Sequence, residues 1–213
     1  MINYIDVLND KIIVDIYKKI GESKILWAEH GLKHINCVLD NIKRVYDIFN
    51  IDDKESENLC LIAGVLHDVG ALQGKDDHAM RSFIFAKDYL ISERDTKKDI
   101  ILNSIKNHSC YDEDLPLETK VLVFADKCDI RDNRVSEIGL SKSGMREYIN
   151  VKNVDIKFEN NCLKINILTN DKFNRQEFID FYFTKNLYLA SCNLAKHFGA
   201  SCKICINDIE EIF

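Results

Sequence analysis

The sequence predicts a mainly α-helical protein, in which a helical bundle comes first and a small α+β unit follows. Up to about residue 135, apolar residues recur three and four positions apart, as they do along the buried face of a helix. Beyond that point, short segments alternate apolar and polar residues with the period of a half-buried strand. We therefore expect a helical domain over 1–135. We expect the C-terminal unit, residues 136–213, to contain one long helix packed on a small antiparallel sheet of about three strands.

Composition and charge narrow the class of protein. The 213 residues are 46% hydrophobic and 30% charged, with one proline and eight glycines, which leaves little material for linkers. The chain has 35 acidic and 29 basic residues, so its formal charge is −6. This negative charge argues against a nucleic-acid polymer or an anionic membrane as partner. We see no export signal in the first ten residues and no apolar run that could span a bilayer, so we expect a cytoplasmic protein.

The eight cysteines are expected to be reduced thiols in such a setting. Cys202 and Cys205 form the C-x-x-C pair, in a segment that we predict to be a strand. Residues three apart on a strand point to opposite faces, so a chelating or redox pair would need a turn there. We therefore interpret these cysteines as core thiols.

Two helices are predicted before residue 50. Residues 10–20 carry isoleucines on one side and are interpreted as a packing helix. The second helix, about 25–49, has an apolar stripe at spacings of three and four. Extended backward, this stripe leads to His34 and then to His30, so both imidazoles are expected to face the interior. A lone histidine in such a place is usually a hydrogen-bonded core or surface residue.

The next helix ends in a histidine and an aspartate. Ser56 is a suitable N-cap after a charged turn, and the apolar run 59–66 leads into His67 and Asp68. An unpaired charge in an apolar setting is costly, and imidazole nitrogen and carboxylate oxygen are both good ligands for first-row metals. The pair is equally compatible with side chains that hydrogen-bond to the backbone.

Three further helices each place one ligand-type residue near an end of the inner face. His78 lies in the first turn of a helix that starts at 75–77, and His108 lies at the end of a helix over 97–109. Asp126 follows the apolar turn 121–125. Alone, each has an ordinary interpretation as a surface residue or a paired buried aspartate. Five helices that all turn such a residue inward are better explained together, by a metal site.

The C-terminal unit begins with a predicted hairpin. Residues 154–158 and 163–167 alternate apolar and polar positions, with a turn at 159–161 between them. A helix over about 174–198 follows, Gly199 ends it, and a final strand over 202–206 could join the hairpin. We interpret the aromatic residues of the helix as core. Three roles stay open for this unit: shaping substrate access, forming a dimer, or packing alone.

The ordered set of ligand-type residues resembles that of the metal-dependent HD superfamily, whose members are helical and carry an H, HD, H, H, D set. The matching residues are His34, His67, Asp68, His78, His108 and Asp126. The local sequences 34–38, 66–70 and 125–127 are also similar to family motifs. The resemblance covers about residues 25–135, roughly half of the chain, and it implies an HD-domain helical bundle.

The resemblance also implies two divalent metal ions, because the extra histidines are found in members that bind two. One metal would take His34, His67, Asp68 and Asp126, and the second would take His78, His108 and a bridging oxygen of Asp68. His30 is a departure, one helical turn before His34, and we assign it a role in lining the site. Manganese or iron suits such ligands best, and zinc, nickel or magnesium are alternatives.

Two bridged divalent ions lower the pKa of a bridging water towards neutrality and neutralise the charge of a phosphate, so no serine or cysteine nucleophile is needed. Asp68 is the expected catalytic residue, as bridging ligand and proton acceptor. Candidate substrate contacts are His30, Lys75, Arg81, Lys127 and Arg131. The four basic residues among them would fit a solvated surface equally well.

We therefore expect a phosphohydrolase that cleaves a phosphoester or phosphoanhydride bond in a small phosphorylated compound by means of a metal-bridging hydroxide. The nucleotide as substrate class rests on the family analogy alone. Two alternatives stay open: an HD-fold di-iron oxygenase, and a metal-bound sensor or scaffold without turnover. The sequence leaves open the substrate, the metal, the number of ions bound and the oligomeric state.

Overall fold

The computed structural model describes residues 2–91 and 95–211. The α-helices within these ranges are α1 Tyr4–Asn9, α2 Lys11–Gly21, α3 Leu32–Ile48, α4 Lys54–Leu66, α5 His78–Tyr89, α6 Asp95–Lys106, α7 Leu117–Lys127, α8 Arg175–Asp180 and α9 Tyr182–His197. The strands are β1 Val151–Glu159, β2 Cys162–Thr169, β3 Ser201–Ile206 and β4 Ile209–Glu210. A mainly helical fold with a C-terminal sheet is thus confirmed, and the sheet makes an all-α description wrong.

Helix α4 is the centre of the helical bundle. Its residues from Leu59 to Leu66 are all buried, because α1, α3, α6 and α7 pack around it. Gly64 lets α3 come close, since a Cβ atom there would lie 2.8 Å from Cδ1 of Ile42. The C-terminal end of α4, and with it the His67-Asp68 pair, therefore lies deep inside the protein.

Helix α3 begins at Leu32, so the prediction of a helix from about residue 25 was wrong for residues 25–31, about two turns. The segment before it pairs with a distant part of the chain: the amide of Glu29 donates to the carbonyl of Arg134. Trp27 likewise accepts from the amide of Ser136. These backbone bonds compete with helix formation, and Gly31 is the extended residue from which α3 starts. His30 consequently lies in a loop and not on the helix.

Other helix ends differ by smaller amounts. Helix α4 starts at Lys54, and its N-cap is Asp53 and not Ser56, because the Asp53 carboxylate accepts from the amide of Ser56 at 2.9 Å. Helix α6 ends at Lys106, which leaves His108 two residues beyond it. Helix α1 was not predicted.

The sheet has four strands in the order β1-β2-β3-β4, and it is mixed. The predicted hairpin is present, with Ile156 opposite Ile165 and a turn at Asn160 and Asn161, both with positive φ. Strand β3 runs parallel to β2, because the connection through α8 and α9 returns the chain in the same direction. Strand β4 then pairs antiparallel to β3. The prediction of about three strands in an antiparallel sheet is corrected accordingly.

The predicted long helix over 174–198 is two helices with a break at Phe181. This residue has extended backbone angles, and its buried side chain packs against Gly144, where an added Cβ atom would overlap the Phe181 side chain. The hydroxyl of Thr184 donates to the carbonyl of Phe178 across the break. The chain therefore changes direction at Phe181, the first of three consecutive aromatic residues, 181–183.

Helix α9 packs against α7 and against β3, so the C-terminal unit is joined to the bundle through the helix that carries Asp126. The structure pairs Cys192 with Cys202 in a disulfide, which corrects the expectation of separate thiols. Cys205 is a buried free thiol. Within residues 2–91 and 95–211, no helix is both long and apolar enough to cross a membrane.

Candidate metal centre

Asp68 lies at the centre of a buried cluster, directly beyond the end of α4. Its Oδ2 atom is 3.5 Å from Nε2 of His34 and 3.4 Å from Nε2 of His67. Its Oδ1 atom is 3.3 Å from Nε2 of His78 and 3.8 Å from Nε2 of His108. The two oxygens of one carboxylate thus face two different pairs of imidazoles.

Asp126 completes the cluster from the last turn of α7. Its Oδ1 atom is 3.3 Å from Nε2 of His34 and 3.9 Å from Nε2 of His67. The structure therefore brings together all of the residues proposed as metal ligands, and each of them is buried. We call these residues the ligand cluster: His34, His67, Asp68, His78, His108 and Asp126.

Hydrogen bonds at the far side of each ring orient the imidazoles. Nδ1 of His67 bonds to the carbonyl of Gly64 at 2.8 Å. Nδ1 of His78 and Nδ1 of His108 each bond to the carbonyl three residues earlier in the chain, both at 2.7 Å. A carbonyl only accepts, so these three Nδ1 atoms carry a hydrogen, and it is Nε2 of each ring that points towards Asp68. This is the arrangement that second-sphere bonds give to metal-binding histidines.

The cluster fits divalent metal ions. Among the described residues, Nε2 of His67 and Oδ1 of Asp68 are buried without a hydrogen-bond partner, an arrangement that costs free energy unless something binds them. Nε2 of His78 and Nε2 of His108 are 2.9 Å apart, although both rings use Nδ1 as donor. Two lone pairs at that distance need a shared cation.

The carboxylates of the ligand cluster are held in the anionic form that metals require. Burial alone would raise the pKa of Asp68, but the charges of Lys75 and His30 lower it well below its usual value. Burial likewise opposes ionisation of Asp126, and the Lys127 ammonium lowers its pKa well below the usual value. Burial lowers the pKa of His108, which keeps that imidazole neutral.

Comparison with known proteins agrees with this geometry. A model of the HD-domain family matches residues 31–131. This part of the chain is an HD domain. HD domains bind divalent metal ions, and the matched range contains the whole ligand cluster. The family resemblance predicted from the sequence is thereby confirmed.

Among solved structures, the chain is similar to a predicted HD superfamily hydrolase from an uncultured Thermotogales bacterium. The two are 17% identical, and the match covers 65% of this chain and 87% of the other, with a TM-score of 0.46. No curated protein matches the chain. The HD-domain match ends before Arg134 and does not include the C-terminal unit.

Three of the predicted substrate contacts lie at the edge of the cluster. His30 is buried, and its Nδ1 atom is 2.5 Å from Oδ2 of Asp68. Nζ of Lys75 is 3.6 Å from Oδ1 of Asp68, and its side chain is 42% exposed. Lys127 is buried and pairs with Asp126. Each of these side chains therefore contacts a carboxylate of the ligand cluster.

The other two predicted contacts bond to the protein itself. The guanidinium of Arg81 donates to the carbonyls of Gly70 and Gly74, at 2.9 and 2.5 Å, and so ties α5 to the turn after Asp68. Arg131 donates to Asp129 at 2.7 Å and to the carbonyl of Lys33 at 3.2 Å. Their observed bonds stabilise the loops of the HD domain.

Two residues of the site were not predicted from the sequence. Asp129 is buried, and its Oδ2 atom is 2.7 Å from Nδ1 of His34, so it orients that ring where the other histidines use a carbonyl. Arg134 is also buried, with Nη2 at 3.4 Å from both Nδ1 of His30 and Nε2 of His34. The three-residue spacing from Asp126 to Asp129 is a signal that could have indicated Asp129. Arg134 comes from outside the motifs, and no such spacing indicates it.

Proposed function

We propose that this protein is a metal-dependent hydrolase of a phosphoester or phosphoanhydride bond in a small phosphorylated compound. The observation that carries the proposal is the position of Asp68, whose two oxygens each face a separate pair of imidazoles. This arrangement suits a carboxylate that bridges two ions. Manganese or iron is the proposed metal, because imidazole and carboxylate ligands together suit these ions.

The ligand cluster divides into two sets around Asp68. One ion would be held by His34, His67 and Asp126 together with Asp68, and the other by His78 and His108 together with Asp68. When bound, two such ions supply an activated water nucleophile and neutralise the charge of a phosphate. Neither a serine nor a cysteine nucleophile is required for that chemistry.

The remaining residues have roles that follow from their contacts. His30 bonds to Oδ2 of Asp68 and so fixes the direction of that carboxylate. Lys75 is partly exposed and lies next to the other oxygen, where its ammonium can contact a phosphate group of a substrate. The guanidinium of Arg134 lies next to His30 and His34, where it offsets the negative charge of two buried aspartates, Asp126 and Asp129. Asp68 is the group placed to accept a proton from the nucleophile.

The test is the release of phosphate, nucleoside or nucleotide from a panel of phosphorylated compounds. The panel contains nucleoside mono-, di- and triphosphates, dinucleoside polyphosphates, cyclic dinucleotides and sugar phosphates, each with manganese, iron, magnesium or no added metal. Asp68→Asn is the inactive variant, and Asp88→Asn is the matched control, because Asp88 is exposed on α5. We expect turnover that needs metal, persists in the Asp88 variant and falls at least about a hundredfold in the Asp68 variant.

Failure across the panel, from protein shown to hold two metals, would contradict the proposal. The next measurement would then be oxygen consumption with iron bound, since the same ligand set is compatible with a di-iron oxygenase. A metal-loaded protein that is inactive in both assays would favour the sensor or scaffold.

A further inference from the structure

A cavity of about 520 Å³ opens beside the ligand cluster. His30 and Lys75 line it, and the same two side chains contact opposite oxygens of Asp68, at 2.5 and 3.6 Å. The inner end of the cavity therefore reaches the centre of the proposed chemistry. Its volume falls within the range of roughly 300–1,000 Å³ that is common for small-molecule sites.

Aromatic rings form much of the cavity wall, and they come from two separate segments. Trp27 belongs to the segment before α3, while Tyr182 and Phe183 are the first two residues of α9, directly after the break at Phe181. Trp27 is 45% exposed and Tyr182 is 49% exposed, and both residues also line a neighbouring cavity. The ammonium of Lys142 lies 4.0 Å from the centroid of the Trp27 ring, so one face of that ring is covered. The ring of Phe183 lies beneath the ammonium of Lys127 at 5.6 Å, so the wall continues to the Asp126 side of the cluster.

Neither wall segment belongs to the HD domain, which covers residues 31–131. The aromatic residues of the predicted helix over 174–198 were interpreted from the sequence as core, and this holds for Phe178 and Phe181, which are buried. It fails for Tyr182, because the break at Phe181 turns the start of α9 towards the ligand cluster. The C-terminal unit therefore contributes directly to the space in which a substrate would lie.

We propose that this cavity, which we call the aromatic cavity, binds the base of a nucleoside phosphate against the rings of Trp27 and Tyr182. The inference rests on the proposed function, because it takes the phosphate to lie at Lys75 and the ligand cluster. Planar aromatic groups stack on such rings, and each stacked base contributes binding energy whatever its identity. A phosphorylated sugar without a base would stack on neither ring.

The polar lining of the aromatic cavity determines how selective it is. Apart from His30 and Lys75, which contact Asp68, the charged side chain in its lining is Asp76, and this residue is exposed. Reading the edge of a base requires fixed donors and acceptors. The polar side-chain groups of Trp27, Asp76 and Tyr182 in this wall are not fixed by a hydrogen bond to any of the described residues. The site should therefore accept both purine and pyrimidine nucleotides, with small differences in affinity.

The single tryptophan of the chain makes a direct binding test available, since Trp27 is the chain's fluorescent reporter and lies in the cavity wall. The full chain is titrated with adenosine 5′-monophosphate, uridine 5′-monophosphate and ribose 5-phosphate in the presence of magnesium. We expect both nucleotides to quench the fluorescence of Trp27 to saturation. Ribose 5-phosphate should leave it unchanged over the same concentrations.

A substitution at Tyr182 tests the stacking partner. Tyr182→Ala should weaken nucleotide binding by roughly 5- to 150-fold, while Tyr182→Phe should bind as the natural protein does. Leu189→Ala is the matched control, because Leu189 lies on the same helix and is 45% exposed but does not line the cavity. Unchanged affinity in the Tyr182→Ala protein, or equal quenching by ribose 5-phosphate, would overturn the inference.

The binding test and the hydrolysis test fail independently. Phosphate release without any quenching would leave the proposed hydrolase in place and would refute the aromatic cavity as base site. Saturable quenching that is sensitive to Tyr182, but without phosphate release from the whole panel, would support the base site and contradict the hydrolase.

Discussion

At the scale of single residues, most imidazoles of the ligand cluster are oriented by backbone carbonyls, which substitution cannot remove. His34 is the exception, because its Nδ1 atom bonds to the carboxylate of Asp129. Burial and Arg134 lower the pKa of His34, but hydrogen bonds to Asp126, Asp129 and Asp68 raise it to about 9. Metal binding at this ring therefore has to displace a proton at neutral pH, and Asp129 keeps the ring in place while it does so.

The first prediction concerns Asp129. The Asp129→Asn variant keeps the shape of the side chain but loses the charge that holds His34. Its affinity for metal should fall about 10- to 100-fold, as is usual when a partner behind a ligating histidine is changed. Competition with a chelator measures this affinity. The control is Asp112→Asn, the same substitution at an exposed aspartate. Equal affinity in the two variants would show that Asp129 has no part in orienting the ligand.

The second prediction separates the two proposed ions. His78→Ala and His108→Ala should each reduce the metal content from two ions per chain towards one, because both rings face Oδ1 of Asp68 and not Asp126. His197→Ala is the control, since His197 is the sixth histidine of the chain and lies exposed on α9. Atomic emission spectroscopy gives the stoichiometry. Two ions retained in both cluster variants would refute the proposed division.

How far the sequence could predict the site depended on the kind of signal that each residue gives. His34, His67 and Asp126 follow helical stripes, so their inward direction could be predicted from local spacing. Arg134 reaches the cluster only because residues 134–136 pair with the segment before α3, and a contact between such distant parts of the chain leaves no periodic pattern. Arg81 and Arg131 were predicted from nearness in sequence, which does not show what a guanidinium bonds to.

At the scale of elements, the close approach of Gly70 to α5 positions His78. A Cβ atom at Gly70 would lie 2.4 Å from the carbonyl oxygen of His78 and 2.6 Å from the amide nitrogen of Ser82. The amide of Gly70 also donates to the hydroxyl of Ser82 at 2.9 Å. The 3-10 helix Val69–Gln73 and the first turn of α5 are therefore held together where only glycine fits.

The third prediction follows from this contact. Gly70→Ala should lower the free energy of unfolding by about 1–3 kcal/mol and displace His78, so that the ion at His78 and His108 is lost first. Gly199→Ala is the control, because its positive φ costs about 1 kcal/mol but nothing lies within 4 Å of the added atom. Denaturant titration and metal analysis measure the two effects. Full metal content in the Gly70 variant would contradict the positioning role.

The elements that the sequence predicted well are those with a strong local period, such as α2, α7 and the hairpin. The start of α3 and the parallel β2–β3 pair were predicted wrongly, because both depend on pairing between segments that are remote in sequence. The break at Phe181 was missed for a similar reason. Its cause is the packing of that ring against Gly144, which helical periodicity does not reveal.

At the scale of the whole molecule, the proposed boundary near residue 135 does not divide the core. Buried residues of the bundle and of the C-terminal unit, Phe124 and Leu187 among them, belong to one continuous hydrophobic cluster. The side-chain amide of Asn193 on α9 also donates to the carbonyl of Tyr111 in the bundle. The two units are thus distinct in secondary structure but share their packing.

The fourth prediction is that the metal-free full chain unfolds in one cooperative transition. A shared core makes partial unfolding of the C-terminal unit costly, since it would expose the apolar face of α7. Scanning calorimetry should give a calorimetric enthalpy equal to the van't Hoff enthalpy. Two resolved transitions would show that the C-terminal unit folds independently.

The central claim is a two-metal centre bridged by Asp68, and anomalous diffraction from crystals grown with manganese tests it most directly. We predict two anomalous peaks about 3.5–4 Å apart, one on each side of the Asp68 carboxylate. One peak should be bound by His34, His67 and Asp126, and the other by His78 and His108. A single peak, or two peaks that do not share Asp68 as ligand, would contradict the account.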